Sequence, residues 1–177
     1  MGSSNHLRAL AHPVRLRILS LLTGADLTAA DVARELGITH ANASYHLRFL
    51  LDAGEIVVSG EESIRGGRAR RYRHHWRGEH RLGPTGPEAG PEADPEAPTM
   101  FVRAAVEELQ RRHRSRRRGM PGLVTDAELW VDVATWQSAR ALLEEASALL
   151  HDGARPPRTD GTELVNLSLF AFVMDDS

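Results

Sequence analysis

Residues 39–48 read THANASYHLR, and most of them carry groups suited to the edges or backbone of a nucleic acid. The Asn42 amide sets a donor beside an acceptor, as an adenine edge requires, and the Arg48 guanidinium can fork onto guanine. Thr39, Ser44 and Tyr45 carry hydroxyls that suit phosphate oxygens. On a helix, Thr39, His40, Ala41, Asn42, Ser44, Tyr45 and Arg48 all fall off the apolar stripe of Ala43, Leu47, Leu50 and Leu51. The plain alternative is a solvated polar face. A second set of residues weighs against it. Arg65, Arg68, Arg70, Arg71 and Arg73 crowd one short stretch, where they could meet phosphates or a minor groove with strongly salt-dependent affinity. The alternative there is a solvated charge run.

Other chemistries find little support. The chain has no Cys, so disulfides, thiolate metal sites and thiol redox sensing are excluded. It has no Lys for a phosphate-binding loop, no Gly-flanked Ser elbow and no placed carboxylate pair, so no enzyme is expected. Nine His invite a metal, but His40 and His46 are six apart and do not share the face of a helical ligand pair. His74 and His75 point to opposite sides of a strand, and His113 and His151 stand alone. A metal site would need ligands from two chains, and no cofactor is expected. His12, before Pro13, reads as a local hydrogen-bonding residue, and His46 as packing at the edge of a helical core. Trp76, Trp130 and Trp136, with Phe170 and Phe172, could line a pocket for a small-molecule effector, although core or dimer packing is the commoner fate of such residues.

The elements that must position the polar row can be read around it. Val32, Ala33 and Leu36 give a first helix its buried face. Gly37 can take the left-handed conformation that ends it, and Ile38 can plug the corner. Thr39 is placed to cap the next helix. Two helices crossing at such a turn form a helix-turn-helix, whose second helix can enter a major groove. Upstream, a short helix is expected from residue 5 to about 11. Pro13 opens a second helix, with Leu16, Ile18, Leu19, Leu21 and Leu22 as its apolar face and Gly24 as its end. After Gly54 the period changes. Residues 55–59 read as a strand with Ile56 and Val58 on one face, 65–68 as a glycine turn, and 70–76 as the returning strand. That hairpin would be a wing.

Beyond it the chain changes character. Residues 83–98 are rich in Pro, Gly, Ala and Glu and should form an acidic linker. A helix is predicted over about 99–118, with Phe101, Ala105, Val106 and Leu109 as its stripe. Its basic end, 111–118, could touch DNA, pair with the acidic C-terminal part or simply complement the helix dipole. Residues 129–131 read as a strand, Asp132 as the cap of a helix to about 151, and 163–174 (ELVNLSLFAFVM) as a strand. Trp136, Leu142, Leu143, Ala146, Leu149 and Leu150 should form the buried face of that helix. Two strands alone are marginal, so this part should complete its sheet or core against a second copy. The expected fold is α+β: a winged helix-turn-helix at 5–81, a linker at 82–99, and a helix with β–α–β at 100–177. Net charge is −2, but residues 1–81 hold 12 Arg against 8 Asp and Glu, and 119–177 hold 3 against 10. That segregation suits DNA at one end and a protein partner at the other. No run approaches a membrane span or a signal h-region, so the chain is expected in the cytoplasm, away from membranes.

Together, ALAHPVRLRIL from Ala9, VARELGI from Val32, SYHLRFL from Ser44 and the Ala53-Gly54 pair resemble the ArsR-type winged helix-turn-helix regulators, over about residues 5–77. The resemblance implies a homodimer that binds imperfect palindromes in double-stranded DNA near promoters and usually represses. The chain departs from metal-sensing members. It has neither Cys on the first helix of the motif nor a His and carboxylate cluster on a terminal helix. The acidic linker and C-terminal β–α–β also exceed the minimal pattern. The expectation is a homodimeric transcriptional regulator, a repressor rather than an activator. Two alternatives stand beside it: a winged helix used for protein interaction, and a regulator whose C-terminal part senses a small molecule or metal.

Overall fold

The computed structural model describes residues 3–64, 67–74 and 94–175. Helix α1 (Ser3–Leu10) leads through a short turn to α2 (Pro13–Gly24). Pro13 fits the first turn of α2, and His12 Nδ1 accepts the Val14 N–H at 3.1 Å, so the local hydrogen-bonding residue expected at His12 is the cap of α2. Helix α3 (Ala29–Leu36) opens on a capping box: the Thr28 hydroxyl accepts the Asp31 N–H, and the Asp31 carboxylate accepts the Thr28 N–H. Gly37 ends α3 at φ 65°, donating its N–H to the Ala33 carbonyl. Thr39 then caps α4 (His40–Asp52) by accepting the Asn42 N–H at 3.2 Å.

These helices close around Leu10, Ile18, Leu19, Leu22, Val32, Ala43, Leu47, Leu50 and Ile56. Above them lies an antiparallel sheet of β1 (Leu27–Thr28), β2 (Val57–Ile64) and β3 (Gly67–Arg73), in the order β1-β3-β2. The two-residue β1 pairs Leu27 with Tyr72 and Thr28 with Arg71, fastening the hairpin's return strand to the start of α3. It is too short to leave a periodic signal.

The hairpin's strands differ from those expected: β2 starts later and runs on to Ile64, and β3 starts earlier, at Gly67. The Glu55 N–H is used by the Leu50 carbonyl at the end of α4, so Ile56 drops into the core before the strand begins. A register shift between Val58 and Gly60 then breaks the alternation, and Val58 is 41% exposed instead of sharing the face of Ile56. The predicted return strand reaches Arg73, and Trp76 lies outside the described residues, as does most of the predicted linker.

Helix α5 (Ala97–Arg114) starts before Thr99, because Pro98 is accommodated in its first turn. It packs against α1 and α2. Ala97, Ala104 and Glu108 face inward, with Phe101 against the core. Val106 and Leu109, two residues of the predicted apolar stripe, are exposed. The buried Glu108 carboxylate accepts from Arg111 and pairs with Arg112 at 3.4 Å, so part of the basic run serves the helix's own inward face.

Helix α6 (Val133–Asp152) has the predicted cap, with Asp132 accepting the Thr135 N–H at 2.8 Å. The rest of the C-terminal expectation fails in the single chain. None of the residues of α6 is buried, and 129–131 and 163–174 form no strand. A strand requires a neighbour to take its N–H and C=O groups, and the described residues provide none beside either segment. The loop after α6 returns to the N-terminal helices. A Cβ on Gly24 would collide with the Arg155 carbonyl, and Arg158 pairs with Glu35 of α3 at 3.0 Å. Residues 163–170 then run antiparallel along α5. Arg117 meets Glu163 at 3.0 Å, Arg112 donates to Asn166 at 3.1 Å, and the Phe101 and Phe170 rings lie 6.3 Å apart.

Candidate nucleic-acid interface

The outer face of α4 carries the predicted row. Thr39, His40, Ala41, Asn42, Tyr45 and Arg48 are exposed and Ser44 is half-buried, while Ala43, His46, Leu47 and Leu50 turn inward. The hydrogen-bonding groups from Thr39 to Arg48 therefore share one open side of a helix whose opposite side is locked into the core.

That lock includes a group with no counterpart in the sequence reading. The Arg15 side chain is buried, donates to the Arg8 carbonyl at 2.9 Å, and lays its guanidinium over the Phe49 ring, 4.3 Å from the centroid. It thus ties the end of α1, the start of α2 and the inner side of α4 into one unit. Its spacing gives a signal that could have found it, since Arg15 precedes Ile18 by three residues and Leu22 by seven, on the same stripe. Arg17 does a similar job nearby, donating to the Leu36 carbonyl at 3.1 Å where α3 ends.

Beside Arg15 lies a pair of imidazoles. His46 sits in the core, deeper than the edge position expected, with its ring 4.6 Å from that of His12 and edge-on to Tyr45 at 5.1 Å. Desolvation, reinforced by the charges of His12 and Arg15, lowers its pKa to about 4. Burial and Arg15 lower that of His12 as well. Both rings are held neutral against the inner side of the helix.

The wing is less open than its arginine count suggests. Arg68 pairs with Glu61, Arg71 with Glu62 at 2.6 Å and with the Asp26 carbonyl, and Arg73 with the Asp26 carboxylate at 2.5 Å. Burial opposes the ionisation of Asp26, but hydrogen bonds from Ser59 and Arg73 and the charges of Arg73 and Arg71 still lower its pKa. Arg71 and Arg73 therefore fasten β3 to the turn before β1. Arg70 is exposed, opposite Glu61 in the register, and Arg65 lies outside the described residues. Of the wing residues singled out in the sequence, the structure places Arg68 and Arg70 on the solvent side of β3.

The other sequence candidates scatter. His74 is buried, 3.0 Å from the Thr23 hydroxyl, and His151 Nδ1 lies 2.7 Å from the Ser147 carbonyl. Among the described residues no three His, Asp or Glu side chains gather as metal ligands. Among the described residues the aromatic side chains suggested for a pocket do not converge: Trp130 is 90% exposed and Phe172 faces solvent. A shallow hollow on α6 is lined instead by Leu142, Glu145, Ala146, Ala148 and Leu149. No helix among the described residues is long and apolar enough to cross a membrane.

The comparisons with known proteins fall on the same stretch. Residues 10–57 match the family model of a helix-turn-helix domain. A 50-residue stretch, 28% of the chain, is 40% identical to the transcriptional repressor SdpR of Bacillus subtilis (strain 168) and covers 56% of that protein. The chain thus matches about half the length of that curated relative. With α3, the glycine turn, α4 and the β2–β3 hairpin all in place, the N-terminal part of this chain is a winged helix-turn-helix domain, similar to that of ArsR-type transcriptional regulators.

Proposed function

We propose that the chain is a sequence-specific regulator of transcription that binds double-stranded DNA as a homodimer on a palindromic operator and acts as a repressor. The observation that carries this reading is the exposed row from Thr39 to Arg48 on a capped helix whose other side is pinned by Arg15, His46, Leu47 and Leu50. A helix so held can present base-reading groups without losing their registration on entering a major groove. Asn42 would read an adenine and Arg48 a guanine. Thr39, Ser44 and Tyr45 would hold phosphates, with His40 and Ala41 at the leading end. Arg65, Arg68 and Arg70 would flank them from the wing. The name of the relative supports repression, and the outward stripe of Val102, Val106 and Leu109 on α5 supports pairing of two chains. Two copies of α4 would then enter successive major grooves, about 34 Å apart.

The test is a gel-shift titration on the operator recovered by footprinting the chain's own upstream region. Arg48→Ala and Asn42→Ala each abolish specific binding while leaving the oligomeric state and the thermal unfolding midpoint in place. Unchanged affinity in both variants would sink the assignment of α4. Failure of the wild-type chain to bind any duplex, at low or moderate salt, would favour a winged helix used for protein interaction.

A further inference from the structure

The 163–174 segment is the part of the chain whose sequence and surroundings disagree most. It alternates Val165, Leu167, Leu169, Ala171 and Val173 with Leu164, Asn166, Ser168, Phe170, Phe172 and Met174, and it holds neither Gly nor Pro. Such a run fits a pleated strand with both faces covered. In the single chain it lies extended along α5, and among the described residues no backbone hydrogen bond joins it to another segment. Leu164, Val165, Phe172 and Val173 face solvent, as do Leu142 and Leu149 of α6. Exposed apolar side chains at both ends of one short segment point to an interface.

We infer that 163–174 is an intermolecular β-strand, paired antiparallel with the same segment of a second copy across a two-fold axis. The inference rests on the homodimer reading above and names the seam. Self-pairing supplies what the described residues lack, since each copy brings an identical edge that none of them pairs. An axis perpendicular to such a sheet must set one residue opposite itself. With that residue at Leu169, Glu163 would face Asp175, acid against acid. With it at Ser168, Leu167 faces Leu169, Leu164 faces Phe172, and Glu163 faces Val173. That register also brings Asp175 of the second copy to the end of the strand where Arg117 already holds Glu163. Charge favours the arrangement more widely. Residues 111–118 carry six Arg and no acid, whereas 119–177 carry 3 Arg against 10 Asp and Glu. The same copy that pairs with the strand therefore also brings acid to the basic run at and just after the end of α5.

The absence of Cys makes a direct test available. In the full-length chain, Ser168→Cys places two thiols opposite one another at the axis, where Cβ atoms of a strand pair lie about 4.5–5.5 Å apart. Mild oxidation is expected to convert most of this variant to a disulfide-linked dimer, whereas Ser138→Cys on the exposed side of α6 stays uncrosslinked. Leu167→Pro, which removes a strand N–H, is expected to weaken dimerisation at least tenfold by sedimentation equilibrium, with the thermal midpoint of the N-terminal domain unchanged. If the chain is dimeric but Ser168→Cys does not crosslink, or Leu167→Pro dimerises as tightly as the wild type, the strand seam is wrong and the homodimer stands. If the wild type is monomeric at tens of micromolar, the seam and the homodimer fall together.

Discussion

Helices α4 and α6 begin alike and end differently. Each opens on a side-chain cap, Thr39 for the 13-residue α4 and Asp132 for the 20-residue α6, and each carries an apolar stripe. Yet α4 buries Ala43, His46, Leu47 and Leu50, while α6, the longer of the two, buries nothing. Caps and periodicity set where a helix starts and which side is apolar. They do not supply the surface against which that side is buried, and most of a helix's stability in a protein comes from that surface. The N-terminal half provides it from α2, α3 and the sheet. Among the described C-terminal residues α5 finds such a surface on α1 and α2, but α6 finds none.

The contrast can be broken most directly by truncating one leucine in each helix. Leu47 is 1% exposed and Leu149 is 73% exposed. Leu47→Ala is expected to cost roughly 2–5 kcal/mol in a urea melt followed through the N-terminal transition. Leu149→Ala leaves that transition where it was. Equal losses would mean that α6 packs on the N-terminal core after all.

Acid sharpens the contrast next, because a buried neutral imidazole pair is a property of the N-terminal half. In the unfolded chain His46 takes up its proton near 6.5, and in the folded chain only near about 4. The folded state therefore binds fewer protons between these values. Its stability is full above pH 6.5 and falls progressively as the pH drops toward 4, by on the order of 3 kcal/mol for this one group. The lowered pKa of His12 acts in the same direction. Melts from pH 7 to 4 check the slope, and His46→Gln should flatten it. A wild-type midpoint that stays level across this window would show that neither ring is held neutral.

The smallest effect concerns the caps. Thr28→Ala removes the hydroxyl that accepts the Asp31 N–H, and a loss of about 1 kcal/mol is expected in the N-terminal transition. Asp132→Ala removes the equivalent group from α6 and leaves that transition unmoved. A shift in both would link the two halves energetically.

Where local chemistry suffices, the sequence reading is close to the structure. Pro13, Gly37 and Thr39 each sit at the boundary assigned to them, because a missing N–H, a positive φ and a side-chain acceptor act on the backbone beside them. The polar row on α4 was legible for the same reason: a stripe of Ala43, Leu47 and Leu50 leaves the other residues outside. Less legible were the features set by distant contacts. The hydrogen bond of Arg71 to the Asp26 carbonyl and the salt bridge of Arg73 with the Asp26 carboxylate span more than 40 residues, and they turn part of an apparent phosphate-binding wing into a fastening for β3. The inward face of α5 keeps Phe101 from the expected stripe but turns a fraction of a turn to take Ala104 and Glu108, chosen by the shapes of α1 and α2 and not by hydropathy.

From the sequence alone come the helix starts and stops, the helix-turn-helix with its outward row, and the lack of thiol chemistry. All are consequences of residue type or of contacts within a few positions. Only the tertiary structure decided that Arg15 and His46 lie beneath the outer face of α4, that a two-residue strand ties down the wing, and that 163–174 has no strand partner among the described residues. Burial and strand pairing are relations between segments far apart along the chain. A segment's own residues state what it requires, and the fold alone determines whether anything is there to meet it.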